Sequence, residues 1–432
     1  MRKFYLNVKA CYLTWLPFSV IRQRLQITSN LKQIKHPKNL QKQLLIDVSV
    51  IIGNDARTGI QRVVRALLAQ LLCIAPVGYR VRPVFATRTH GYRYAPAEFG
   101  MDMLQADAKR VTMGAVEIGA GDIFLALDLA AHLLPLHRVE LARWKKLGAK
   151  VHVVVYDLLP ILHPEWFNPK TSRHFRRWIK TIAVYADSII CISNTVKADI
   201  QTWLSQQYGF SSDIIPINII PLGADLQSSL PSTGMPVNGV DLMAQLATAP
   251  FVLMVGTLEP RKGHDQIVAA FDVLWQQGSD ARLVIVGKAG WKTDVLQQQL
   301  RSHAHINTKL FWLNDVSDEF LSKLYSACSG VLLGSRAEGF GLPLIEAMHY
   351  HKPVLARNIP VFREVGQDNI CFFSDRDQVI FMRDLISWLS MIHDAVIIKH
   401  YAMPTWRESV ESLLTHLGIT TCQLSHMEKV SV

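Results

Sequence analysis

The chain lacks the features that mark several large protein classes. It has no run of 18 or more apolar residues, so no segment is long enough to cross a bilayer as a helix. It has neither a Gly-x-Gly-x-x-Gly after its first predicted strand nor a Gly-Lys-Ser/Thr P-loop, which disfavours a dehydrogenase and an ATPase. Zinc-finger and helix-turn-helix signatures are also missing, so we predict no nucleic-acid partner.

Cysteine is scarce and has no metal-binding pattern. The six cysteines are scattered and none forms a Cys-x-x-Cys pair. This spacing favours reduced, buried thiols over a disulfide framework or a zinc site. The cysteines therefore predict no metal site.

The composition and length are typical of a folded protein with two domains. Of the 432 residues, 49% are hydrophobic and 19% are charged. From Leu44 onward, apolar strands alternate with amphipathic helices, which predicts an α/β fold with parallel sheets. We predict the following division: a basic aromatic segment at 1–43, a Rossmann-like domain at 44–228, a linker at 229–248, a second Rossmann-like domain at 249–400, and at 401–432 a helix followed by a tail.

The formal net charge of +11 indicates an anionic partner. An anionic membrane surface and a nucleotide diphosphate both fit, because each attracts a basic protein through its long-range field. The segment 1–43 mimics a signal peptide, but Pro17 interrupts its apolar part and no cleavage site follows. We interpret it as lying on a membrane surface; the alternative is a helix packed on the body. The basic helix at 173–180 is open to the same two interpretations, a solvated face or a membrane-facing one.

The most informative stretch runs from Ser335 to His349. An apolar strand at 330–334 precedes it, and Pro343 suits the first turn of the helix that follows. Gly339 and Gly341 therefore lie in a turn where a helix dipole and unpaired N–H groups favour an anion, most often phosphate. The two flanking carboxylates can accept hydrogen bonds from sugar hydroxyls, although either glutamate alone is more simply explained as a partner of the helix dipole.

The run Glu338-Gly-Phe-Gly-Leu-Pro-Leu-Ile-Glu346 resembles the signature of the retaining glycosyltransferases of GT-B family four. The resemblance covers roughly residues 44–417 and implies GT-B architecture, with two Rossmann-like parallel-sheet domains facing a cleft. It implies that the domain at 44–228 lies on the acceptor side, that the domain at 249–400 binds the nucleotide sugar, and that the helix within 401–432 returns to the first domain. It also implies that Glu338 and the backbone that follows it hold the donor sugar, and that Glu346 holds the nucleotide ribose. The implied donor-binding residues are Gly256, Gly339, Phe340, Gly341, Leu342, Glu346 and, in the first domain, Gly59.

Arg261 and Lys262 follow the strand predicted at 251–256. Adjacent cations in a loop are usually solvent-exposed, but opposite the Gly-Phe-Gly turn they would neutralise a departing diphosphate. Many members of the family carry Arg directly after the glycine, where this chain has Thr257. The resemblance therefore makes Glu338, Lys262 and Arg261 the candidate catalytic residues.

Asp157 and His163 follow the long apolar strand predicted at 150–156. Because ligands of open α/β sheets lie beyond the carboxyl ends of the strands, both residues are candidates for contact with an acceptor. The simpler alternatives are an aspartate that caps the next turn and a hydrogen-bonded structural histidine.

Taken together, these residues and the resemblance that they carry imply a retaining, metal-independent hexosyltransferase of bacterial surface polysaccharide synthesis. The motifs look like those of O-antigen and capsule enzymes, which are often mannosyltransferases. We expect GDP-mannose as the first donor to test, no cofactor, a lipid-linked saccharide acceptor, and a peripheral location on the inner face of the cell membrane. A nucleotide-sugar epimerase on the same fold and a non-catalytic basic protein that binds membrane or polysaccharide are the alternatives.

Overall fold

The computed structural model describes residues 17–29, 41–74, 76–96, 99, 114–226, 229–374, 377–393 and 403–420. Most of the predicted segment 1–43 and the tail beyond 420 lie outside these residues. The chain divides into two compact units. Unit 1 comprises the described residues that fall within Met1–Ile161, Pro169–Leu222 and Trp406–Val432, and unit 2 comprises those within Leu162–Asn168 and Gly223–Thr405.

Each unit is built around one sheet. The strands are β1 Lys42–Asp47, β2 Tyr79–Phe85, β3 Arg93–Tyr94, β4 Ile123–Ala126, β5 Lys150–Val155, β6 Ser188–Cys191, β7 Ile217–Ile219, β8 Phe251–Val255, β9 Arg282–Val286, β10 Leu310–Leu313, β11 Gly330–Leu333, β12 Val354–Arg357 and β13 Cys371–Phe373.

Helices connect these strands, as parallel pairing requires. In the described residues they are α1 Pro17–Ser29, α2 Gly59–Ile74, α3 Arg138–Lys146, α4 Leu159–Leu162, α5 Pro169–Tyr185, α6 Asn194–Tyr208, α7 Gly239–Leu246, α8 His264–Gln276, α9 Asp294–Arg301, α10 Asp318–Ala327, α11 Leu342–His349, α12 Pro360–Gly366, α13 Gln378–His393 and α14 Trp406–Leu417. None of these helices is both long and apolar enough to cross a membrane.

The sheet of unit 1 has the order β3-β2-β1-β4-β5-β6-β7 and is parallel except for β3. The sheet of unit 2 has the order β10-β9-β8-β11-β12-β13, and all its pairings are parallel. Two apolar clusters contribute alternate residues of the same strands in unit 2, for example Leu253 and Met254 of β8. The sheet is therefore buried on both faces, which explains why its strands are continuous apolar runs.

The first strand is shorter than the sequence suggests. The apolar run 44–52 predicts one strand, but β1 ends at Asp47 and a turn follows. The Asp128 carboxylate accepts the N–H groups of Val50 and Ile51, each at 2.7 Å, so these residues cannot pair in the sheet. Hydrophobicity alone did not reveal this partner, which lies 77 residues further along the chain.

Helix α1 packs against α3, α5 and α6 within unit 1. Arg24 anchors it by donating to the carbonyl oxygens of Ala183, Ala186 and Ile214 at 3.3, 2.6 and 3.2 Å. Two of these carbonyls lie at the end of α5, where the helix leaves its last carbonyls without intrahelical donors. For residues 17–29 the structure thus corresponds to the alternative interpretation, a helix packed on the body. Helix α14 packs against α2 of the same unit.

Candidate functional site

The loop after β8 is shaped by glycine. Gly263 ends the single helical turn Pro260–Lys262 with φ of 69°. A Cβ at Gly263 would lie 2.4 Å from the carbonyl oxygen of Gly334 at the end of β11. Only glycine therefore allows the backbone that carries Arg261 and Lys262 to lie against the end of the neighbouring strand.

The turn between β11 and α11 has the form that the sequence predicts. Gly341 precedes α11 with φ of 103°, and a Cβ there would lie 2.6 Å from the Phe362 ring. Pro343 is in the first turn of the helix, as the sequence predicts, and the helix begins at Leu342. Gly339 is buried, while Phe340 is partly exposed. The first N–H groups of α11 have no acceptor within the helix, so this turn is suited to an anion.

The three predicted catalytic residues lie together in one ionic cluster. Arg261 Nη1 donates to Glu338 Oε2 at 2.5 Å, and Lys262 Nζ donates to Glu338 Oε1. Arg261 Nε also donates to Glu259 Oε2 at 2.7 Å. The four side chains are between 9% and 16% exposed, so water screens these charges weakly. We call these four residues the donor-side cluster.

Glu338 is ionised throughout the physiological range. Burial by itself raises the pKa of a carboxyl group, but the charges of Arg261 and Lys262 outweigh burial and lower the pKa of Glu338 to about 2. The carboxylate is therefore a permanent hydrogen-bond acceptor and cannot act as a general acid near neutral pH.

The donor-side cluster refines the role that the sequence assigned to its cations. The sequence predicts Arg261 and Lys262 opposite the glycine turn, where they would neutralise a diphosphate. In the structure both contact Glu338, and Glu259 makes the cluster neutral overall. An anionic ligand at Arg261 and Lys262 would therefore share their charge with Glu338. Glu259 was not predicted, because a single acidic residue in a loop carries no distinctive pattern.

Glu346 is only 2% exposed. Tyr325 of α10 donates its hydroxyl hydrogen to Glu346 Oε2 at 2.8 Å, and the Tyr325 ring stacks on Tyr350 with centroids 5.3 Å apart. A tyrosine thus orients this carboxylate, and the sequence did not point to it. Contact between Glu346 and a ribose stays a prediction.

Other close contacts around the loop after β8 were also missed. Gly256 has φ of 147°, and a Cβ at Gly287 would lie only 1.9 Å from the Gly256 carbonyl oxygen. Arg357, which is 3% exposed, donates to the Gly334 carbonyl oxygen at 2.9 Å. These residues hold the ends of β8, β9 and β11 together. Gly256 was predicted as a donor-binding residue, but its contact with Gly287 and the role of Arg357 were not recognised, because these partners are distant in sequence.

His264 is a further unpredicted residue beside the donor-side cluster. It is 1% exposed, and neither ring nitrogen has a hydrogen-bond partner among the described residues. Burial, assisted by the charge of Lys262, lowers the pKa of His264 to about 3, so the ring is neutral.

Gly59 is the exposed first residue of α2 in unit 1. The preceding Thr58 forms a capping box with Gln61: the Thr58 N–H donates to Gln61 Oε1 at 3.2 Å, and the Gln61 N–H donates to Thr58 Oγ1 at 3.3 Å. Arg65 and Asp55, 2.6 Å apart, hold the loop before the helix. Gly59 thus opens a well-fixed helix terminus; its contact with a donor remains a prediction.

Asp157 and His163 have the structural roles that we gave as alternatives. Asp157 Oδ1 accepts the Leu159 N–H at 3.0 Å and so caps α4. The His163 ring stacks on Trp166 with centroids 4.2 Å apart, and its Nδ1 lies 3.2 Å from Glu165 Oε1. Asp157 belongs to unit 1 and His163 to unit 2. Neither interaction bears on acceptor binding, which stays a prediction for both residues.

A buried carboxylate at the end of β1 was missed entirely. Asp47 is fully buried and accepts the hydroxyl hydrogens of Ser49 at 2.5 Å and of Tyr92 at 2.8 Å. Burial raises the pKa of Asp47 to about 7; the Ser49 hydrogen bond opposes this shift, and the charge of Asp128 adds to it. The aspartate lies inside an apolar run, where the sequence gives no sign of its partners.

The chain is similar to known glycosyltransferases in sequence. Residues 244–398 match the family described as "Glycosyl transferases group 1". The chain is 40% identical to the "Serotype-specific mannosyltransferase WbdA" of Escherichia coli over 394 residues, which are 88% of this chain and 47% of that protein. It is 26% identical to the "O-antigen chain mannosyltransferase RfbU" of Salmonella typhimurium over 226 residues, which are 52% of this chain and 57% of that protein. The chain spans about half the length of the WbdA proteins that it matches.

Solved structures share its architecture. Sucrose-phosphate synthase from Thermosynechococcus elongatus superimposes with a TM-score of 0.54 at 17% identity, covering 87% of this chain and 94% of that one. HepE from Anabaena, in complex with UDP and glucose, gives 0.54 at 18% identity and covers 87% and 95%. WaaG, a glycosyltransferase involved in lipopolysaccharide biosynthesis, gives 0.51 at 14% identity and covers 85% and 94%. At these identities the likeness shows the fold.

Proposed function

The chain carries a group 1 glycosyltransferase domain at residues 244–398 on a GT-B fold, and from this premise we propose that it is a retaining glycosyltransferase that transfers mannose from a nucleotide-diphosphate sugar to a saccharide. The observation that carries the proposal is the contact of Glu338 with both Arg261 and Lys262. The printed names of the relatives, mannosyltransferases of O-antigen type, support mannose as the sugar.

In the proposed reaction, Arg261 and Lys262 stabilise the negative charge that develops on the diphosphate as it leaves. The bond between the anomeric carbon and the diphosphate oxygen breaks, and the acceptor oxygen bonds to that carbon on the same face. The acceptor proton passes to the departing phosphate. Permanently ionised Glu338 orients the sugar by accepting hydrogen bonds from its hydroxyls. Because protein side chains supply the positive charge, we propose that no metal is required.

We further propose GDP-mannose as the donor and a lipid-linked saccharide as the acceptor, in bacterial surface polysaccharide synthesis. The enzyme would act from the cytoplasm at the inner face of the membrane, and the net charge of +11 supports attraction to that surface. The donor would contact the glycine turn and both flanking glutamates, and the acceptor would contact Asp157 and His163. The donor assignments follow from the family resemblance, and the acceptor assignments follow from the place of Asp157 and His163 in the chain after β5.

The first test is a donor scan by calorimetry. Purified protein is titrated with GDP-mannose, UDP-glucose, UDP-galactose, UDP-N-acetylglucosamine and dTDP-rhamnose, and released nucleotide is measured with each. We expect micromolar binding of GDP-mannose and weaker binding of the others. Preference for another sugar nucleotide would replace the proposed donor, and folded protein that binds none would contradict the transferase and favour a binding protein. Conversion of the free donor into another nucleotide sugar in the absence of acceptor would instead identify an epimerase.

The second test separates the roles of the sugar and the phosphates. In Glu338→Gln, the two cations lose a competing carboxylate, so GDP itself should bind at least about threefold more tightly. Transfer should fall by about two to three orders of magnitude, because the sugar loses its acceptor of hydrogen bonds. The matched control is Asp280→Asn in unit 2, whose side chain is 85% exposed and should alter neither quantity. Equal loss of GDP binding and transfer, with folding intact, would assign Glu338 a structural role only.

A further inference from the structure

A second group of positive charges lies in unit 1, separate from the donor-side cluster. It comprises two histidines and four permanently charged residues: Arg88, His132, Lys170, Arg173, His174 and Arg177. We call it the basic cluster. Arg88 follows β2, His132 follows β4, and the other four are on α5, which comes after β5. All three strands are parallel, so these segments leave the sheet at the same carboxyl edge, where ligands of α/β sheets bind.

The four residues on α5 share one helix face. Positions 170, 173, 174 and 177 are spaced by three and four residues, so their side chains are neighbours. The short helical turn Leu134–His137, which follows His132, packs against α5. The rings of His132 and His174 stack with centroids 6.3 Å apart and an angle of 24° between their planes. The pair is thus the point at which two elements of the cluster meet.

Burial and the surrounding cations lower the pKa of both histidines. Burial and then Arg88, His174 and Lys170 lower the pKa of His132. Burial and then Lys170, Arg88, Arg177 and Arg173 lower the pKa of His174. Each of the four permanent charges therefore lies close enough to act on one ring or both. Glu140 of α3 is engaged elsewhere, since it accepts the Tyr92 N–H at 3.2 Å and lies 3.8 Å from His137.

The guanidinium groups of Arg88, Arg173 and Arg177 place like charges around the two stacked imidazoles, and an anion between them would remove the resulting repulsion. We propose that the basic cluster binds a phosphate-bearing ligand with the charge of a diphosphate. The guanidinium groups of Arg88, Arg173 and Arg177 would donate paired hydrogen bonds to phosphate oxygens, for which their geometry is suited. The histidine rings would take up protons on binding and become further donors.

The basic cluster shares no residue with the donor-side cluster, all members of which belong to unit 2. Inorganic pyrophosphate is the probe. Its binding is followed through the nuclear magnetic resonance signals of the His132 and His174 rings, which are assigned by His132→Gln and His174→Gln. Because these signals report only on the two rings, binding at Arg261 and Lys262 does not contribute to the measurement. Failure of one proposal therefore does not imply failure of the other.

The expected result has two parts. Pyrophosphate should shift both ring signals and raise the pKa of each histidine by about 1, since an anion favours the charged ring. The double variant R173Q/R177Q should weaken this binding about tenfold. Arg176→Gln removes one positive charge from an exposed position of α5 that acts on neither ring, and it should change the affinity less than about twofold.

Two results would overturn the proposal: ring signals that do not respond to pyrophosphate, or equal weakening in R176Q and the double variant, which would indicate diffuse charge without a site. A parallel assay with phosphatidylcholine vesicles, with and without phosphatidylglycerol, identifies the source of the phosphate once the pyrophosphate result is positive. If the double variant loses vesicle binding and R176Q does not, the result supports a lipid headgroup as the source of the phosphate. Vesicle binding that is absent or unchanged supports a soluble or saccharide-linked phosphate.

Discussion

Glu338 shows how one residue can be recognised from sequence while its environment is not. Its spacing from Glu346 and the glycine turn mark it as a candidate. Its contacts with Arg261 and Lys262, however, join residues that are 77 and 76 positions away in the chain. These contacts keep the pKa of Glu338 near 2, below the value of about 4.3 for a free glutamate. Its ionic contribution to stability is therefore complete above about pH 4 and is lost as the pH falls toward 2.

Asp47 should affect stability in the opposite direction. Its folded pKa of about 7 lies above its unfolded value, so between about pH 4 and 7 the folded state retains a proton that the unfolded state releases. The free energy of unfolding must fall as the pH rises through this range, by about 4 kcal/mol at most. The asparagine in Asp47→Asn does not titrate. The free energy of unfolding of this variant, measured in urea, should therefore fall less between pH 5 and 8 than that of the wild type.

Asp280→Asn, at an exposed position, serves as the control and should keep the wild-type pH dependence. If Asp47→Asn has the same pH dependence as the wild type, Asp47 is ionised in the folded protein and the inference from its burial is wrong.

Helix α1 is the element for which sequence was least decisive. Its basic and apolar residues fit a membrane surface as well as a packed helix, because both environments bury one face and solvate the other. The structure places α1 on α3, α5 and α6 through Val20 and Arg24, which is a tertiary outcome. The same ambiguity applies to α5, whose buried face includes Trp178 and whose polar face carries part of the basic cluster.

Arg24→Ala should therefore destabilise unit 1. It leaves the three carbonyl oxygens of Ala183, Ala186 and Ile214 without this donor, and we expect a loss of about 1–3 kcal/mol in the free energy of unfolding. Arg22→Ala, at an exposed position of the same helix, should cost less than about 0.5 kcal/mol. Chemical unfolding of the two variants provides the comparison. Equal effects would mean that Arg24 does not anchor α1 in solution.

At the scale of the whole molecule, the division into two units predicts two unfolding transitions in scanning calorimetry. Nearly all candidate donor residues belong to unit 2, so saturating GDP should raise the midpoint of one transition by about 5–10 °C. The other midpoint should move much less. Glu346→Gln should reduce the shift if this residue holds the ribose. A single transition, or equal shifts of both, would contradict independent units with a donor site in unit 2.

Sequence by itself determined the succession of strands and helices, because the periodicity of apolar residues is a local property of the chain. It also determined the glycine turn and the Glu338–Glu346 pair, since their chemistry depends on spacing within nine residues. Only the tertiary structure decided which charges meet. The partners of Glu338, the end of β1 at Asp47, the anchoring of α1 by Arg24 and the assembly of the basic cluster all join residues far apart in the chain. Such contacts depend on how the strands are ordered in a sheet, and hydrophobic periodicity does not encode that order.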